Sequence, residues 1–203
     1  GAYDVSTFGV DDDGVRTDQA AHSPGARYWI PTLDEWMKAA HYDPGKPNAD
    51  GSVGGWWLYL SSDTPLRYGL PSWLGGNGQA NAGFSLQDDA QFGIPLGAYA
   101  DSLSPWGLLD TAGATTEYTE TVYQTTDGLR YRITDGSAWA TPNTATDRAY
   151  SFSTALGGSV DYMFGLRVAG AVPGPGALAL ALLAYGSGRG RRRGSSTWFF
   201  ATW

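Results

Sequence analysis

The chain has 203 residues, with 20 acidic and 13 basic side chains, two histidines and no cysteine, and its formal net charge is −7. The acidic balance repels phosphate and disfavours nucleic acid as a partner, and the lack of cysteine excludes disulfides and thiolate metal sites. Only 16% of the residues are charged while 29 are glycine and nine are tryptophan, which is typical of a loop-rich fold pinned by large aromatic side chains.

One helix is predicted over residues 32–41. Thr32 is a good N-cap, and Glu35 three residues later completes a capping box directly after Pro31. The apolar stripe of this helix is formed by Leu33, Trp36, Met37 and Ala40. We expect the stripe to be buried against the domain and the segment Asp43-Pro44-Gly45 to end the helix.

Long loops and short strands are predicted for most of the remaining sequence. Residues 42–105 are rich in Gly, Pro, Asn, Ser and aromatic residues. Ordered loops of this length are usually functional or held by an ion. Alternating patterns predict strands over 116–125, 128–134 and 162–169, and the second of these ends at the turn Asp135-Gly136.

The C-terminal sequence differs in composition from the rest. It reads V-P-G-P-G at 172–176, continues with an apolar run at 177–185, and has four arginines within 189–193. The apolar run is about half of the ~20 residues needed to span a bilayer. The expected division is a domain over 1–171, a tail over 172–193 and an unexplained final segment over 194–203.

Three segments resemble motifs of one protein family. They read W-I-P-T-L-D-E-W-M-K-A-A at 29–40, P-W-G-L-L-D-T-A-G at 105–113, and R-I-T-D-G-S-A-W at 132–139 followed by F-G-L-R-V at 164–168. The family patterns are R-L-P-T-E-x-E-W-E-x-A-A, N-x-x-G-L-Y-D-M-x-G-N-V-W-E-W, and R-V-x-R-G-G-S-W with G-F-R-V. The chain therefore resembles the formylglycine-generating-enzyme, or sulfatase-modifying-factor, family.

This resemblance implies an α+β, C-type-lectin-like fold that is loop-rich, has little regular secondary structure and often binds calcium. It covers the C-terminal part of the family domain, so we expect a truncated N-terminal part and a signal peptide missing from this fragment. The tail resembles a PEP-CTERM sorting signal, formed here by Val172, Pro173, Pro175, Arg191, Arg192 and Arg193. That signal implies export and processing by an exosortase-type enzyme at the bacterial cell surface.

Active members of the family oxidise a substrate cysteine to formylglycine with a copper-binding cysteine pair, since soft thiolates select Cu(I). The pair should lie between Gly136 and Arg148, where this sequence has no cysteine. Related members use iron held by two histidines and a glutamate from a partner domain, and this sequence does not supply that set. We therefore expect no copper and no formylglycine-generating activity.

Calcium is the metal that the resemblance implies instead, because it takes hard oxygen ligands from loops. The first family site corresponds here to Asn81, Ala82, Asp88 and Ala90, the two alanines contributing backbone carbonyls. The alternative is that Asn81 is a hydrogen-bonded loop residue and Asp88 a solvated one. Both interpretations stay open at the level of sequence.

Glu117 is the remaining ligand of the family's second calcium site, whose asparagine is replaced by Ala114. Two other roles stay open for Glu117: an acid paired with Glu120 or Asp110, and a hydrogen-bonding group of the core. A glycosidase would need two carboxylates at a defined separation across a cleft. We favour a core hydrogen bond or a remnant of the calcium site.

Two arginines and five aromatic residues complete the candidate set. Arg148 and Arg167 lie among apolar residues of predicted strands, and buried arginines usually pair with acids, so we expect structural ion pairs, with Glu35 as a partner. Flat aromatic rings can bind sugars or proteins when exposed, but most tryptophans of a small domain lie in the core. We expect core positions for most of Trp56, Trp57, Tyr59, Trp73 and Trp106.

Two functions follow from these observations. The first is a non-catalytic, lectin-like binding or structural module, tethered at the bacterial surface, with a surface polysaccharide or surface protein as its partner. The alternative is a formylglycine-generating or non-haem iron oxidoreductase that acts on protein or small thiol substrates. A third interpretation is a partial gene whose product does not fold without its upstream strands.

Overall fold

The computed structural model describes residues 1–86, 89–156 and 162–171. One compact unit runs from Gly1 to Gly170. The predicted calcium ligand Asp88 and the predicted sorting and final segments, 172–193 and 194–203, lie outside the described residues. Within the described ranges, no helix is both long and apolar enough to cross a membrane.

One α-helix, four short 3₁₀-helices and ten short strands form the regular secondary structure of the described residues. The helix, α1, spans Leu33–His41. The strands are β1 (Gly9–Val10), β2 (Arg16–Thr17), β3 (Tyr28–Trp29), β4 (Tyr42–Pro47), β5 (Val53–Trp56), β6 (Thr116–Gln124), β7 (Arg130–Asp135), β8 (Ser153–Leu156), β9 (Phe164–Leu166) and β10 (Ala169–Gly170). The fold is therefore α+β and loop-rich.

A four-stranded sheet in the order β8-β7-β6-β9 forms the centre of the molecule. β6, β7 and β8 pair antiparallel, whereas β9 pairs parallel with β6. The other strands form three antiparallel pairs, β1 with β2, β3 with β10 and β4 with β5. The β3–β10 pair brings the chain before α1 next to the chain after β9.

Helix α1 begins and packs as its sequence predicts. The Thr32 side chain accepts from the Glu35 backbone N–H at 3.2 Å, and the Glu35 carboxylate accepts from the Thr32 N–H at 2.9 Å. This capping box satisfies two of the N–H groups that a helix N-terminus leaves unpaired. The buried core is built on the apolar stripe and consists of Trp36, Met37, Ala40, Leu60, Ala80 and Ala112.

The helix ends at His41, before the segment Asp43-Pro44-Gly45, as predicted, and one other predicted boundary is wrong. Asp43-Pro44-Gly45 lies in β4, which follows the helix directly and carries a register shift between Asp43 and Pro47. The predicted strand over 162–169 is divided into β9 and β10, which pair with different strands. The two predicted strands before it correspond to β6 and β7.

Candidate functional site

Glu117 lies on β6 under α1 and is the centre of a buried polar network. Its Oε2 accepts the indole N–H of Trp36 at 2.6 Å and the Nε of Arg167 at 2.9 Å, and its Oε1 accepts from Arg167 Nη2 at 2.7 Å. The same guanidinium donates to the Asp110 carbonyl at 2.9 Å. Both carboxylate oxygens are therefore engaged by N–H donors, which is the geometry of a charge-assisted, bidentate ion pair.

The predicted ion pair of Arg167 is confirmed, but its expected partner is wrong. Glu35 accepts from the Trp29 indole N–H and from Thr32, and so completes the helix cap. Arg148 donates through Nε to the Tyr59 hydroxyl at 3.0 Å. The Glu35 carboxylate caps the N-terminus of the helix, and this position keeps it from pairing with Arg167.

The carboxylates that could pair with Glu117 as acids have partners of their own. Glu120 accepts from both the backbone and the ring of His22, whose Nδ1 lies 2.8 Å from Oε2. Asp110 accepts the Gly97 N–H at 2.6 Å. Each of the three carboxylates is thus held by a separate group of donors, as expected for structural roles.

Two further buried aspartates lie next to this network. Asp135 is paired with Glu117 across the β6–β7 ladder, and Asp147 accepts from the Ser137 N–H at 2.9 Å and from the Tyr68 hydroxyl. Burial raises the pKa of Asp135 to about 8, and the negative charges of Asp147 and Glu117 add to that rise. Burial likewise raises the pKa of Asp147. Asp135 is therefore mainly protonated at neutral pH.

The loop that contains Asn81 is held against the end of the central sheet. Asn81 forms an isolated parallel bridge with Gly113, and its carbonyl accepts the Ala114 N–H at 2.7 Å. Gly113 has φ 82°, and a Cβ there would lie 2.6 Å from the Asn81 nitrogen. Only glycine permits both this backbone conformation and this close approach, so Gly113 is what allows the Asn81 loop to pack here.

Asn81 itself has an unsatisfied acceptor. Asn81 is only 7% exposed, and its Nδ2 donates to the Gln91 carbonyl at 3.2 Å. Among the described residues its Oδ1 has no hydrogen-bond partner, and neither do Oε1 and Nε2 of the buried Gln91. Buried polar atoms without a partner are rare, so the Asn81 oxygen is an acceptor that a ligand could use.

The oxygen set around Asn81 fits calcium in part. The structure brings Asn81 beside the segment of Ala90 and Gln91, and Ala82 is fully buried next to it. These residues offer amide and carbonyl oxygens, which calcium accepts. No group of three or more His, Cys, Asp or Glu side chains that could hold a metal occurs in the described ranges. The predicted charged ligand, Asp88, lies outside the described residues.

A strip of aromatic rings lies on the β4–β5 hairpin. The Trp56 ring contacts Tyr42 on one side and Tyr150 on the other, with centroid distances of 5.3 and 5.9 Å. Trp56 is 37% exposed and Tyr150 is 66% exposed. Tyr150 has φ 70°, which is uncommon for a non-glycine residue and is often found at functional sites. We call these three residues the aromatic strip.

Polar groups lie beside the aromatic strip. The Trp57 indole donates to Asp43 Oδ2 at 3.0 Å, and Lys46 Nζ lies 4.3 Å from the Trp57 ring centroid. Lys46 also donates to the Trp56 carbonyl at 2.5 Å. These contacts fix the hairpin, so the strip is held in place before any ligand arrives.

The expectation that most of the five aromatic residues are core is wrong. Tyr59 is buried at 1% exposure, whereas Trp73 and Trp106 are more than half exposed. Sequence reasoning could not predict this exposure, because a tryptophan in a loop has no periodic pattern that assigns its face. Gln91, Tyr42 and Tyr150 were missed as site residues, since the contacts that make them notable come from distant parts of the chain.

Comparisons with known proteins give little further information. No family model matches the sequence, and no curated protein matches it. A solved structure titled "Crystal Structure of CarF" is similar with a TM-score of 0.48 and 20% identity over 75% of this chain and 51% of that chain. The chain thus spans about half the length of that structure. The family resemblance of the motifs stays a prediction.

Proposed function

We propose that this chain is a non-catalytic, lectin-like binding module whose ligand is a surface polysaccharide. The observation that carries the proposal is the aromatic strip, in which Tyr42 and Trp56 of the β4–β5 hairpin and Tyr150 from a later loop make ring contacts at 5.3 and 5.9 Å. The three rings are inclined to one another by 64° and 51°, and they lie beside the polar side chains of Asp43 and Lys46. Sugar rings have apolar faces and polar edges, which fit such a surface.

The fold supports the same proposal. A single helix packed on a small curled sheet, with long loops fixed by buried polar contacts, is compatible with a C-type-lectin-like arrangement. In this proposal calcium is a structural ion of the Asn81 loop, held by the Asn81 side chain, backbone carbonyls at Ala82 and Ala90, and Asp88. The orphaned Oδ1 of Asn81 supports this assignment. Calcium would neutralise oxygen dipoles there and order the loop.

Glu117 is left out of the proposed calcium site. Its oxygens already accept from Trp36 and Arg167, and a metal ion would have to displace a guanidinium. Redox chemistry of the formylglycine type is not part of the proposal, because the chain has no cysteine to bind copper. Export, processing by an exosortase-type enzyme and attachment at the bacterial cell surface are part of it, and they rest on the tail sequence.

The proposal is tested by screening the full chain on an array of bacterial surface polysaccharides. The best glycan is then titrated by calorimetry against wild type, Trp56→Ala and Trp73→Ala. Trp73 is the matched control because it is more exposed than Trp56 and lies outside the strip. Loss of a central aromatic contact should weaken binding about tenfold for Trp56→Ala only.

Three results would overturn the proposal. The first is no glycan binding by wild type, and the second is equal loss of affinity in the two tryptophan variants. The third is binding of a surface protein that competes for the strip in place of any glycan. Thermal melts of both variants show whether each is folded before its affinity is measured.

A further inference from the structure

A groove lies between the N-terminal hairpin and the central sheet, and the contacts described above do not explain it. It has a volume of about 400 Å³ and lies between β1–β2 and the far end of the β6–β7 hairpin. Cavities of a few hundred Å³ are the size of small-molecule and sugar-binding sites. Its walls are partly apolar, with Phe8, Val10 and Tyr131 among the lining residues.

The charge of this groove is opposite to that of the chain. Its charged lining residues are Arg16, Arg130, Arg132 and Asp18, a net charge of +2 in a chain of net charge −7. Acidic residues Asp11 to Asp13 are in the loop between β1 and β2, and they are not among the lining residues. A concave surface lined by one sign of charge focuses the field on ligands of the other sign.

The arginines of the groove have different roles. Arg132 is fixed, since it donates to Asp18 Oδ2 from Nε at 2.8 Å and from Nη2 at 2.6 Å, and also to the Gln19 carbonyl at 2.8 Å. Arg130 contacts the other oxygen of Asp18 at 3.2 Å through Nη2. Asp18 therefore compensates part of the charge of both arginines and holds them at the base of the groove.

Arg16 is the groove arginine whose charge is free to bind a ligand. Its side chain is exposed, and it forms no hydrogen bond or ion pair with another residue of the described ranges. Arg130 has further N–H groups beyond the one that faces Asp18. Two guanidinium groups with unused donors line the same groove, one from β2 and one from β7, and such a pair can bind a single planar or tetrahedral anion.

We propose that the groove binds the acidic group of an anionic sugar unit, with its carboxylate or sulfate between Arg16 and Arg130. The sugar ring would lie against the apolar wall that includes Tyr131. The assignment of a sugar rests on the proposed function, whereas the assignment of an anion rests on the groove alone. The groove and the aromatic strip would then contact different units of one acidic polysaccharide.

Calorimetric titration of the full chain tests this inference at low salt. The probes are a galacturonate trisaccharide, its methyl-esterified neutral form, a galactose-6-sulfate trisaccharide and inorganic sulfate. Wild type should bind at least one acidic trisaccharide, and the preferred one identifies carboxylate or sulfate as the recognised group. The neutral form should bind at least tenfold more weakly, and the affinity for the acidic form should fall as salt is added.

Substitutions at the groove arginines show whether the acidic trisaccharide binds in the groove. Arg16→Gln and Arg130→Gln should each weaken the acidic trisaccharide about tenfold, which is the effect of losing one charge-assisted contact. Arg27→Gln is the matched control, because Arg27 is exposed and lies outside the groove. Arg16→Gln should keep the melting temperature of wild type, since Arg16 has no partner to lose in the described part of the chain.

Several results would overturn the inference. They are equal affinity for acidic and neutral trisaccharides, an unchanged affinity in Arg16→Gln, sulfate alone binding as tightly as the sugar, and no binding of any probe. Trp56→Ala is titrated with the same probes to separate the two proposals. If polysaccharide binding depends on Trp56 but not on Arg16, the groove proposal is wrong and the aromatic-strip proposal is retained. If binding depends on Arg16 but not on Trp56, the aromatic-strip proposal is wrong.

Discussion

The polar network around Glu117 and the loop around Asn81 lie at neighbouring parts of the fold but differ in how their polar groups are satisfied. Glu117 has two donors, Trp36 and Arg167, which occupy both of its oxygens. Asn81 is equally buried, yet its Oδ1 has no hydrogen-bond partner among the described residues, and neither has the side-chain amide of Gln91. A buried polar atom costs stability unless it is paired, so the described residues satisfy Glu117 better than they satisfy Asn81.

The two regions are also held together in different ways. At the centre of the fold, one glutamate joins the helix, the central sheet and the chain after β9. The Asn81 loop is positioned by backbone contacts to Gly113 and Ala114, and in our proposal the Asn81 side chain binds calcium. The following predictions test whether the two regions respond differently to mutation and to ions.

The largest effect is expected for Glu117→Ala. The substitution leaves the Trp36 indole without its acceptor and Arg167 with only the Asp110 carbonyl, and breaking an ion pair that is largely buried costs about 3 kcal/mol of unfolding free energy. Urea unfolding measures the loss, with Asp127→Ala on an exposed loop as the control. The loss should be the same in EDTA and in calcium. A calcium-dependent loss would show that Glu117 belongs to the ion site.

A smaller effect is expected for Asp135→Asn, and it depends on pH. Burial raises the folded pKa of Asp135 to about 8, far above the ordinary value of an aspartate, so the unfolded state releases this proton more readily. Its contribution to stability is therefore complete below pH 4 and is lost as the pH rises towards 8. The asparagine keeps the acceptor for the Gly136 N–H and cannot ionise, so it should stabilise the protein relative to wild type at pH 8.

Urea unfolding at pH 5 and pH 8 checks the prediction for Asp135. The decline in wild-type stability between these values should be reduced in Asp135→Asn but should not vanish, because the pKa of Asp147 is also raised. Asp50→Asn is the control, since Asp50 is exposed and its pKa is lowered. Parallel pH profiles for wild type and Asp135→Asn would show that Asp135 is already ionised in the folded state at neutral pH.

The smallest effect is expected for Asn81→Ala in EDTA. Its Oδ1 has no hydrogen bond to lose, and only the Nδ2 donor bond to the Gln91 carbonyl disappears, which is worth about 1 kcal/mol. The comparison with Glu117→Ala is direct because both side chains are buried. A loss of unfolding free energy in EDTA as large as that of Glu117→Ala would mean that the core already satisfies the Asn81 side chain.

Local signals predicted part of this structure correctly. The capping box of Thr32 and Glu35 and the apolar stripe of α1 lie within nine residues, so the sequence contains all the interactions that define the helix. The strands β6 and β7 were predicted because they alternate and are joined by a short turn. The α+β class implied by the motif resemblance is confirmed, and its C-type-lectin-like detail stays a proposal.

Long-range contacts explain most of what the sequence could not show. Arg167 meets Glu117 across 50 residues, so the sequence identified a buried cation but assigned the wrong acid. Asp18 and Arg132 are 114 residues apart, and neither was noticed as part of a groove. The aromatic strip joins a hairpin to Tyr150, which lies far along the chain. Such pairs depend on tertiary packing, for which one sequence has no periodic signal.

Thermal melting of the full chain in EDTA, calcium, iron(II) or copper(I) tests the central claim most directly. If calcium fills the Asn81 loop, at a concentration one hundred times its Kd it adds about 2.7 kcal/mol to the unfolding free energy. The melting temperature should then rise by roughly 5–10 °C in calcium alone, and Asn81→Ala should abolish that rise. A rise with iron or copper but not with calcium, or equal melting in all four conditions, would contradict the account.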